Sequence, residues 1–258
     1  MSKTQEKDWK ILNLVFKKRA LKVKDIADLL GISESTVRRA VGRLEQSERV
    51  VLNRGFVSLH PNFVSRELTF YEKLSQNIEA KRRIGKKAAE LINDGESVLL
   101  ETGTTVLQIV PHLKTKRDVT VITNCLKVAT EVASLPNLRL VLIGGEMRKE
   151  STAFVGHLAE ETLRKVFSET FISKVFLGAD GISPEEGVTT HNIQEAIIDR
   201  MMIELARETV LVADHSKFGK VGLYRIVPLE KVDVIVTDRI DGKQESYLRE
   251  AGVEIILA

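Results

Sequence analysis

Residues 31–46 read GISESTVRRAVGRLEQ, and the fold of the N-terminal part follows from them. Gly31 closes one helix, because glycine takes the left-handed cap without a steric penalty. Ser33 fits an N-cap, and Glu34 in the first turn faces the positive helix end. Val37, Val41 and Leu44 recur at i, i+4 and i+7 and predict the buried stripe of a helix running to about residue 46. At about 100° per residue, Ser35, Arg38, Arg39 and Gly42 fall on the opposite face, flanked by Thr36 and Arg43. That face is polar, basic and short-chained at its start. Arginine can fork onto guanine or clamp phosphate, and small hydroxyl side chains allow close approach to base edges.

Upstream, Ile26, Ala27 and Leu30 mark a short second helix, and Trp9, Leu12, Val15 and Phe16 mark a first helix over residues 6–18. Helix, glycine turn and basic helix make a helix-turn-helix pattern. Downstream, Val50-Val51-Leu52 and Phe56-Val57-Ser58-Leu59 flank Asn53-Arg54-Gly55, which predicts a β-hairpin. Its place after the basic helix makes it a candidate wing, with Arg54 aimed at phosphate or the minor groove. The candidate DNA-contacting residues are therefore Ser33, Ser35, Thr36, Arg38, Arg39, Arg43 and Arg54.

Charge agrees with this division. Residues 1–62 hold 13 Lys and Arg against 7 Asp and Glu, a net +6, whereas the rest of the chain is −3. A basic module precedes a mildly acidic body, although the total is only +3 over 258 residues. No apolar run approaches the ~18 residues a spanning helix needs, so no membrane segment is expected and a cytoplasmic location is. The single Cys125 excludes an internal disulfide and suits a reducing compartment. His60, His112, His157, His191 and His215 show no paired ligand spacing, so no metal site is expected.

Pro61-Asn62 closes the first module. Residues 63–80 read as a linker, and 81–258 as a second domain. Ile84, Ala88, Leu91 and Ile92 form an apolar helical stripe, and the adjacent Lys81-Arg82-Arg83 and Lys86-Lys87 read as a solvated helix face, with an additional phosphate contact as the alternative. Beyond Gly95, β-rich runs at 97–100, 119–122, 138–143, 174–177, 209–212, 232–236 and 253–257 alternate with helical stretches at 105–113, 126–134, 156–166, 193–207 and 243–251. Such alternation predicts a Rossmann-like α/β domain with a mostly parallel sheet covered on both faces.

Polar loops follow these runs on one side. In open α/β sheets, ligands bind outside the carboxyl ends of the strands. Thr102-Gly103-Thr104-Thr105, leading into a helix, offers backbone N–H groups and hydroxyls to an anion. Lys217 can supply counter-charge, and Asp180 and Asn124 can bond sugar-type hydroxyls. Thr123-Asn124 reads either as ligand contact or as a helix cap, Gly144-Gly145 either as site or as turn, and His215 as a turn hydrogen bond. A phosphorylated polyol matches the set.

In their order along the chain, Ile32-Ser33-Glu34-Ser35-Thr36-Val37-Arg38-Arg39, Ile84-Gly85, Thr102-Gly103-Thr104-Thr105, Thr123-Asn124, Gly144-Gly145, Gly178-Ala179-Asp180-Gly181 and Asp214-His215-Ser216-Lys217-Phe218-Gly219 resemble the motifs of DeoR-type bacterial transcriptional repressors of sugar metabolism. The resemblance covers nearly the whole chain. It implies a winged helix-turn-helix DNA reader joined to an effector domain similar to ribose-5-phosphate isomerase. It further implies phosphate binding at Gly103, Thr104 and Thr105, with Thr123, Asn124, Asp180 and Lys217 around the ligand, and it sets Glu195 where the isomerases keep an acid. With Gly144 and Gly145 these are the candidate effector residues.

The function expected is repression of a carbohydrate-utilisation operon, released or modulated by a phosphorylated sugar. The partners are double-stranded operator DNA, the sugar, and a second copy of the chain in a dimer or tetramer, since two half-sites need two readers. No cofactor or catalytic residue is expected. The alternatives are an isomerase-like enzyme using Asp180, Glu195 and Lys217, and a transcriptional activator.

Overall fold

A computed structural model describes residues 3–18, 20–46, 49–60, 68–167 and 170–258. The chain divides into two compact units, Met1–Arg66 and Glu67–Ala258.

The first unit comprises α1 (Lys3–Lys18), β1 (Ala20–Lys22), α2 (Val23–Leu30), α3 (Glu34–Gln46), β2 (Val50–Asn53) and β3 (Phe56–Leu59). Its core joins Ile11, Leu12 and Val15 of α1, Val23, Ile26 and Ala27 of α2, and Val37, Ala40, Val41 and Leu44 of α3. The side chains of Trp9 and Phe16 lie outside the described residues. Gly31 has φ +63°, and its N–H closes the end of α2 on the Asp28 carbonyl. Strand β1, absent from the sequence reading, pairs antiparallel with β3, so the wing is a three-stranded sheet in the order β1-β3-β2. Arg54 and Gly55, both with positive φ, turn the hairpin. Two such residues make the I′ geometry whose twist matches the flanking strands.

The second unit begins with α4 (Phe70–Ser75), α5 (Ile78–Glu90) and β4 (Ser97–Leu100). After a 3-10 segment (Val106–Thr115) come β5 (Val119–Thr123), α6 (Leu126–Ala133), β6 (Leu138–Leu142), β7 (Glu146–Arg148), β8 (Ala153–Val155) and α7 (His157–Val166). Then follow β9 (Ile172–Leu177), β10 (Gly181–Ser183), β11 (Gly187–Thr190), α8 (Ile193–Leu205), β12 (Ala206–Val212), β13 (Tyr224–Val227), β14 (Val234–Thr237), α9 (Gly242–Glu250) and β15 (Glu254–Leu257). All seven β-rich runs read from the sequence enter one parallel sheet, in the order β15-β14-β12-β9-β4-β5-β6.

Both faces of that sheet are covered. Val98, Leu100, Phe176 and Val210 pack with Ile84 and Ala88 of α5, Ile109 and Leu113 of the 3-10 segment, and Val128 of α6. The alternate residues Leu99, Val175, Leu177 and Leu211 pack with Leu163 of α7, Met202 of α8 and Leu248 of α9. Successive side chains of a strand point to opposite faces, and each face here has its own helical layer.

Four features depart from the sequence expectations. The stretch expected as a helix over 105–113 is a 3-10 segment containing Pro111, which has no N–H to give to an α-helical bond. Within 63–80, residues 63–67 lie outside the described residues, but the remainder folds as part of the second unit. There Phe70 is buried in the core, and Thr69 and Glu72 form a capping box at the start of α4. Lys81 is 2% exposed, not on a solvated face, whereas Arg82 and Arg83 are exposed. Two small antiparallel sheets, β7-β8 and β10-β11-β13, stand outside the parallel sheet.

Candidate functional sites

In the first unit, Ser33 accepts from the Thr36 N–H at 3.3 Å and caps α3 as expected. Its hydroxyl also lies 2.9 Å from those of Ser35 and Thr36. Ser35, Arg38 and Arg39 are exposed, and Arg54 is exposed at the hairpin tip. The Arg38 guanidinium lies 3.9 Å from Glu34, with both side chains about half exposed, a geometry that holds little energy. Arg43 differs: it forks onto Asp8 of α1 at 3.0 and 2.6 Å. That hydrogen-bonded carboxylate raises its pKa. Arg43 ties α1 to α3, which the sequence reading did not foresee because the partner lies far away in the chain.

In the second unit, a cleft open to solvent lies at the carboxyl ends of β4 and β9. The loop after β4 contributes Glu101 to Thr105, and the loop after β9 contributes Gly178, Ala179 and Asp180. Phe70 and Lys73 come from α4, Glu195 and Asp199 from α8, and Lys217 from the loop after β12; Ser151, Thr190 and Ile226 complete the wall. Asn192 caps α8 by accepting from the N–H groups of Gln194 and Glu195, which holds Glu195 in the first turn. Asp199 lies one turn further on, on the same face.

Of the ten candidate effector residues, Gly103, Thr104, Thr105, Asp180, Glu195 and Lys217 line the cleft; Thr123, Asn124, Gly144 and Gly145 do not. Thr123 accepts from the Cys125 N–H at 3.0 Å, a turn bond just ahead of α6, whose start no side chain caps. Asn124 exchanges hydrogen bonds with Phe154 of β8 and accepts from Thr102 at 3.4 Å, so it braces a cleft residue from behind. A Cβ on Gly145 would stand 2.7 Å from the Val155 carbonyl oxygen, so this glycine serves a close backbone approach. His215 bonds to Asp238 through its N–H and Nδ1, both at 2.8 Å, which is a turn role.

Sequence reading missed Phe70, Lys73 and Asp199 as cleft residues. The Thr69-x-x-Glu72 capping signature was the available signal for α4, and the i, i+4 spacing from Glu195 was the signal for Asp199. Nothing local marks Lys73, whose partner Asp180 is distant in sequence.

The electrostatics split the cleft in two. Lys73 donates to Asp180 at 2.6 Å, and Asp180 also accepts from the Thr190 hydroxyl and the His191 N–H, each at 3.2 Å. Burial alone would raise the Asp180 pKa, but Lys73, His191 and Lys217 together hold the carboxyl far below its ordinary range. Burial lowers the Lys217 pKa against the attraction of Asp180. Lys81, which donates to the Lys73 carbonyl, is pushed down to about 8 by burial, with Asp214 opposing and Lys217 and Lys73 adding to the shift. Asp214 is fixed by the side chain of Asn77 at 2.8 Å and the N–H of Ser216 at 3.0 Å.

The other half is carboxyl-rich. Glu101 accepts from the Gly178 N–H at 3.0 Å, yet burial drives its pKa up to about 8, and Glu195 and Asp180 add to the rise. Asp199 is raised well above its ordinary value by burial, then by Glu101, Glu195 and Asp180. Glu195 is raised by burial in spite of Arg148, which donates to it at 3.0 Å. Among the described residues, no group of three or more His, Cys, Asp and Glu is arranged to hold a metal ion. No described helix is long and apolar enough to cross a membrane.

Fold and cleft together define a DNA-binding winged helix joined to a sensor domain. The DeoR C-terminal sensor domain family matches residues 76–239, and the winged helix-turn-helix DNA-binding family matches residues 4–51. The chain is 31% identical to the HTH-type transcriptional repressor GlcR of Bacillus subtilis, over 96% of this chain and 93% of the relative. It is 32% identical to the HTH-type transcriptional regulator GlpR of Haloferax volcanii, over 97% and 96%. It is also 32% identical to the lactose phosphotransferase system repressor of Staphylococcus epidermidis, over 95% and 96%. Among solved structures, the full-length sorbitol operon regulator SorC from Klebsiella pneumoniae is a distant likeness, with 12% identity, TM-score 0.42 and coverage of 97% of this chain and 100% of that one. Ribose 5-phosphate isomerase A from Methanocaldococcus jannaschii is another, with 18% identity, TM-score 0.40 and coverage of 55% of each chain. The chain belongs to the DeoR family of DNA-binding transcriptional repressors, and it is a regulator rather than an enzyme.

Proposed function

We propose that this chain represses a carbohydrate-utilisation operon in the cytoplasm and that a phosphorylated sugar in the cleft of the second unit releases or modulates it. The observation that carries the sugar phosphate is the meeting, in one cleft, of the Gly103-Thr104-Thr105 loop with Lys73 and Lys217 on one side and carboxyls on the other. The first amides of a helical segment lack intrahelical partners and suit an anion. Lys217 adds counter-charge, and carboxylates suit the hydroxyls of a sugar.

Operator DNA falls to the exposed Ser35, Arg38, Arg39 and Arg54, with Ser33 and Thr36 shaping the start of α3. Arg43 supports the face through Asp8. Two half-sites call for a dimer or tetramer. A shift in DNA affinity requires that the sugar bind one state of the protein better than another.

The test takes duplexes selected from a random pool by the full chain and measures their affinity with and without a panel of sugar phosphates. At least one sugar phosphate is expected to change the affinity, and to raise the melting temperature by mass action. A chain that selects no sequence, or whose DNA affinity and melting temperature ignore every sugar phosphate, would refute the proposal.

A further inference from the structure

Helix α4 is the first element of the second unit, and Phe70 at its start follows closely on Arg66, where the first unit ends. Three hydrogen bonds tie the α4 segment to loops around the cleft. The Phe70 N–H donates to the Glu150 carbonyl at 2.6 Å, next to Ser151 of the cleft wall. Lys73 donates to Asp180 at 2.6 Å, on the loop after β9. Just past the helix, the Asn77 side chain donates to Asp214 at 2.8 Å, on the loop that carries Lys217. Buried Lys81 donates to the Lys73 carbonyl from below. Asn77 turns the chain from α4 into α5 with φ +52°, a left-handed backbone that asparagine tolerates better than most residues. Phe70 is the buried side chain of this six-residue helix, so the position of the rest depends on the polar ties.

We propose that Lys73 is the positioning residue through which the cleft acts on the DNA-reading unit: its pair with Asp180 latches α4 in the operator-binding form, and an anion bound beside Lys217 draws it off. This rests on the reading of the cleft as a sugar-phosphate site. Lys217 lies within electrostatic reach of both Lys73 and Asp180. A phosphate held by Lys217 and the Thr104-Thr105 loop therefore offers Lys73 a second partner and repels the Asp180 carboxylate. One ammonium cannot serve both at full strength, so the Lys73–Asp180 pair weakens. The pair is mostly buried, with side chains 23% and 8% exposed, so salt screens it little. Competition for Lys73 gives the ligand a different affinity for the latched and unlatched forms, which any shift of their populations requires. The covalent connection passes a movement of α4 to the first unit. The sugar is proposed to release the operator, so the latched form is the one that holds it.

The experiment measures the affinity of the full chain for the duplex it selects, with no sugar added, in wild type, Lys73→Met, Asp180→Asn, the double variant and Lys73→Arg. Each of the first two variants is expected to lower the affinity at least about fivefold, the low end of coupling between sites. Lys73→Met removes a positive charge and Asp180→Asn a negative one. A general charge effect on DNA would move the affinity in opposite directions, whereas loss of the latch lowers it in both. The double variant should fall no further than the weaker single one, because both remove the same interaction. Lys73→Arg keeps the charge and should stay near wild type. Melting temperatures report folding, and if Asp180→Asn unfolds, Lys73→Met and Lys73→Arg carry the test. A sugar phosphate that releases the wild-type chain should release Lys73→Met by a smaller factor. Unchanged or raised affinity in folded Lys73→Met, or opposite shifts in the two single variants, would overturn the inference and leave the sugar-phosphate reading standing. A panel of sugar phosphates without effect on the wild-type chain would bring down that reading and the inference with it.

Discussion

Arg54 shows what a single residue reveals. It stands at φ +48° in a two-residue turn, where asparagine and glycine are favoured. An L-residue with a Cβ accepts this backbone at a cost of about 1 kcal/mol. An exposed arginine kept at a hairpin tip against that cost fits a DNA contact. Arg54→Asn is therefore expected to stabilise the first unit by up to about 1 kcal/mol in urea melts and to weaken operator binding. Unchanged affinity would remove Arg54 from the interface. The two units are also separable by single residues. Arg39→Ala should weaken operator binding and reduce the slope of log affinity against log salt by about 1 if its contact is a phosphate, with sugar-phosphate affinity unaltered. Lys217→Ala should do the reverse. Equal damage to both activities by either well-folded variant would contradict the division of labour.

At the scale of elements, the turn between α2 and α3 sets the angle at which the basic helix is presented. Gly31 makes that turn with φ +63°, and a Cβ placed there would meet nothing within 4 Å. The cost of Gly31→Ala is therefore conformational alone, about 1–2 kcal/mol for the left-handed backbone. Equilibrium denaturation should show that loss in the transition of the first unit, and an unchanged midpoint would mean that the turn relaxes freely. In the second unit, α4 is the counterpart. Its capping box fixes where it starts, Phe70 anchors it in the core, and Lys73 is thereby delivered to Asp180.

For the whole molecule, the carboxyl cluster makes stability depend on pH. Glu101 rises from about 4.5 to about 8 on folding, and Asp199 is likewise raised well above its ordinary value. Glu195 and Asp180 face the same cluster and reinforce the rise of Asp199, while Arg200 opposes it. A carboxyl whose folded pKa is raised stabilises the fold fully below its unfolded pKa, and that contribution is lost as pH climbs through the folded value. Asp180, held low by Lys73 and Lys217, acts in the opposite sense and loses its contribution only in acid. The melting temperature is therefore expected to fall between pH 5 and pH 8, by roughly 2–4 °C for each kcal/mol lost in a domain of this size. Asp199→Asn should raise the melting temperature at pH 8 and flatten the slope. A flat wild-type profile across this range would show that the cluster is not buried as a charge.

What the sequence by itself determined was everything written in local period and local caps. The stripe Val37, Val41, Leu44, the cap Ser33, the turn at Gly31 and the hairpin at Arg54-Gly55 were legible, because each rests on neighbours within a few residues. The seven strand runs were legible for the same reason, since buried parallel strands show as short apolar runs between polar loops. Only the tertiary structure decided which side chains meet. Arg43 paired with Asp8 across the surface, Lys81 went under the surface, and Thr123, Asn124 and Gly145 became supports behind the cleft wall. Phe70, Lys73 and Asp199 entered the cleft from elements that carry no ligand motif. The physical reason is that a cleft's charge balance is set by groups distant in sequence. Lys73 and Asp180 neutralise each other only because α4 and the loop after β9 are packed together, and Asp199 is left unanswered by the same packing.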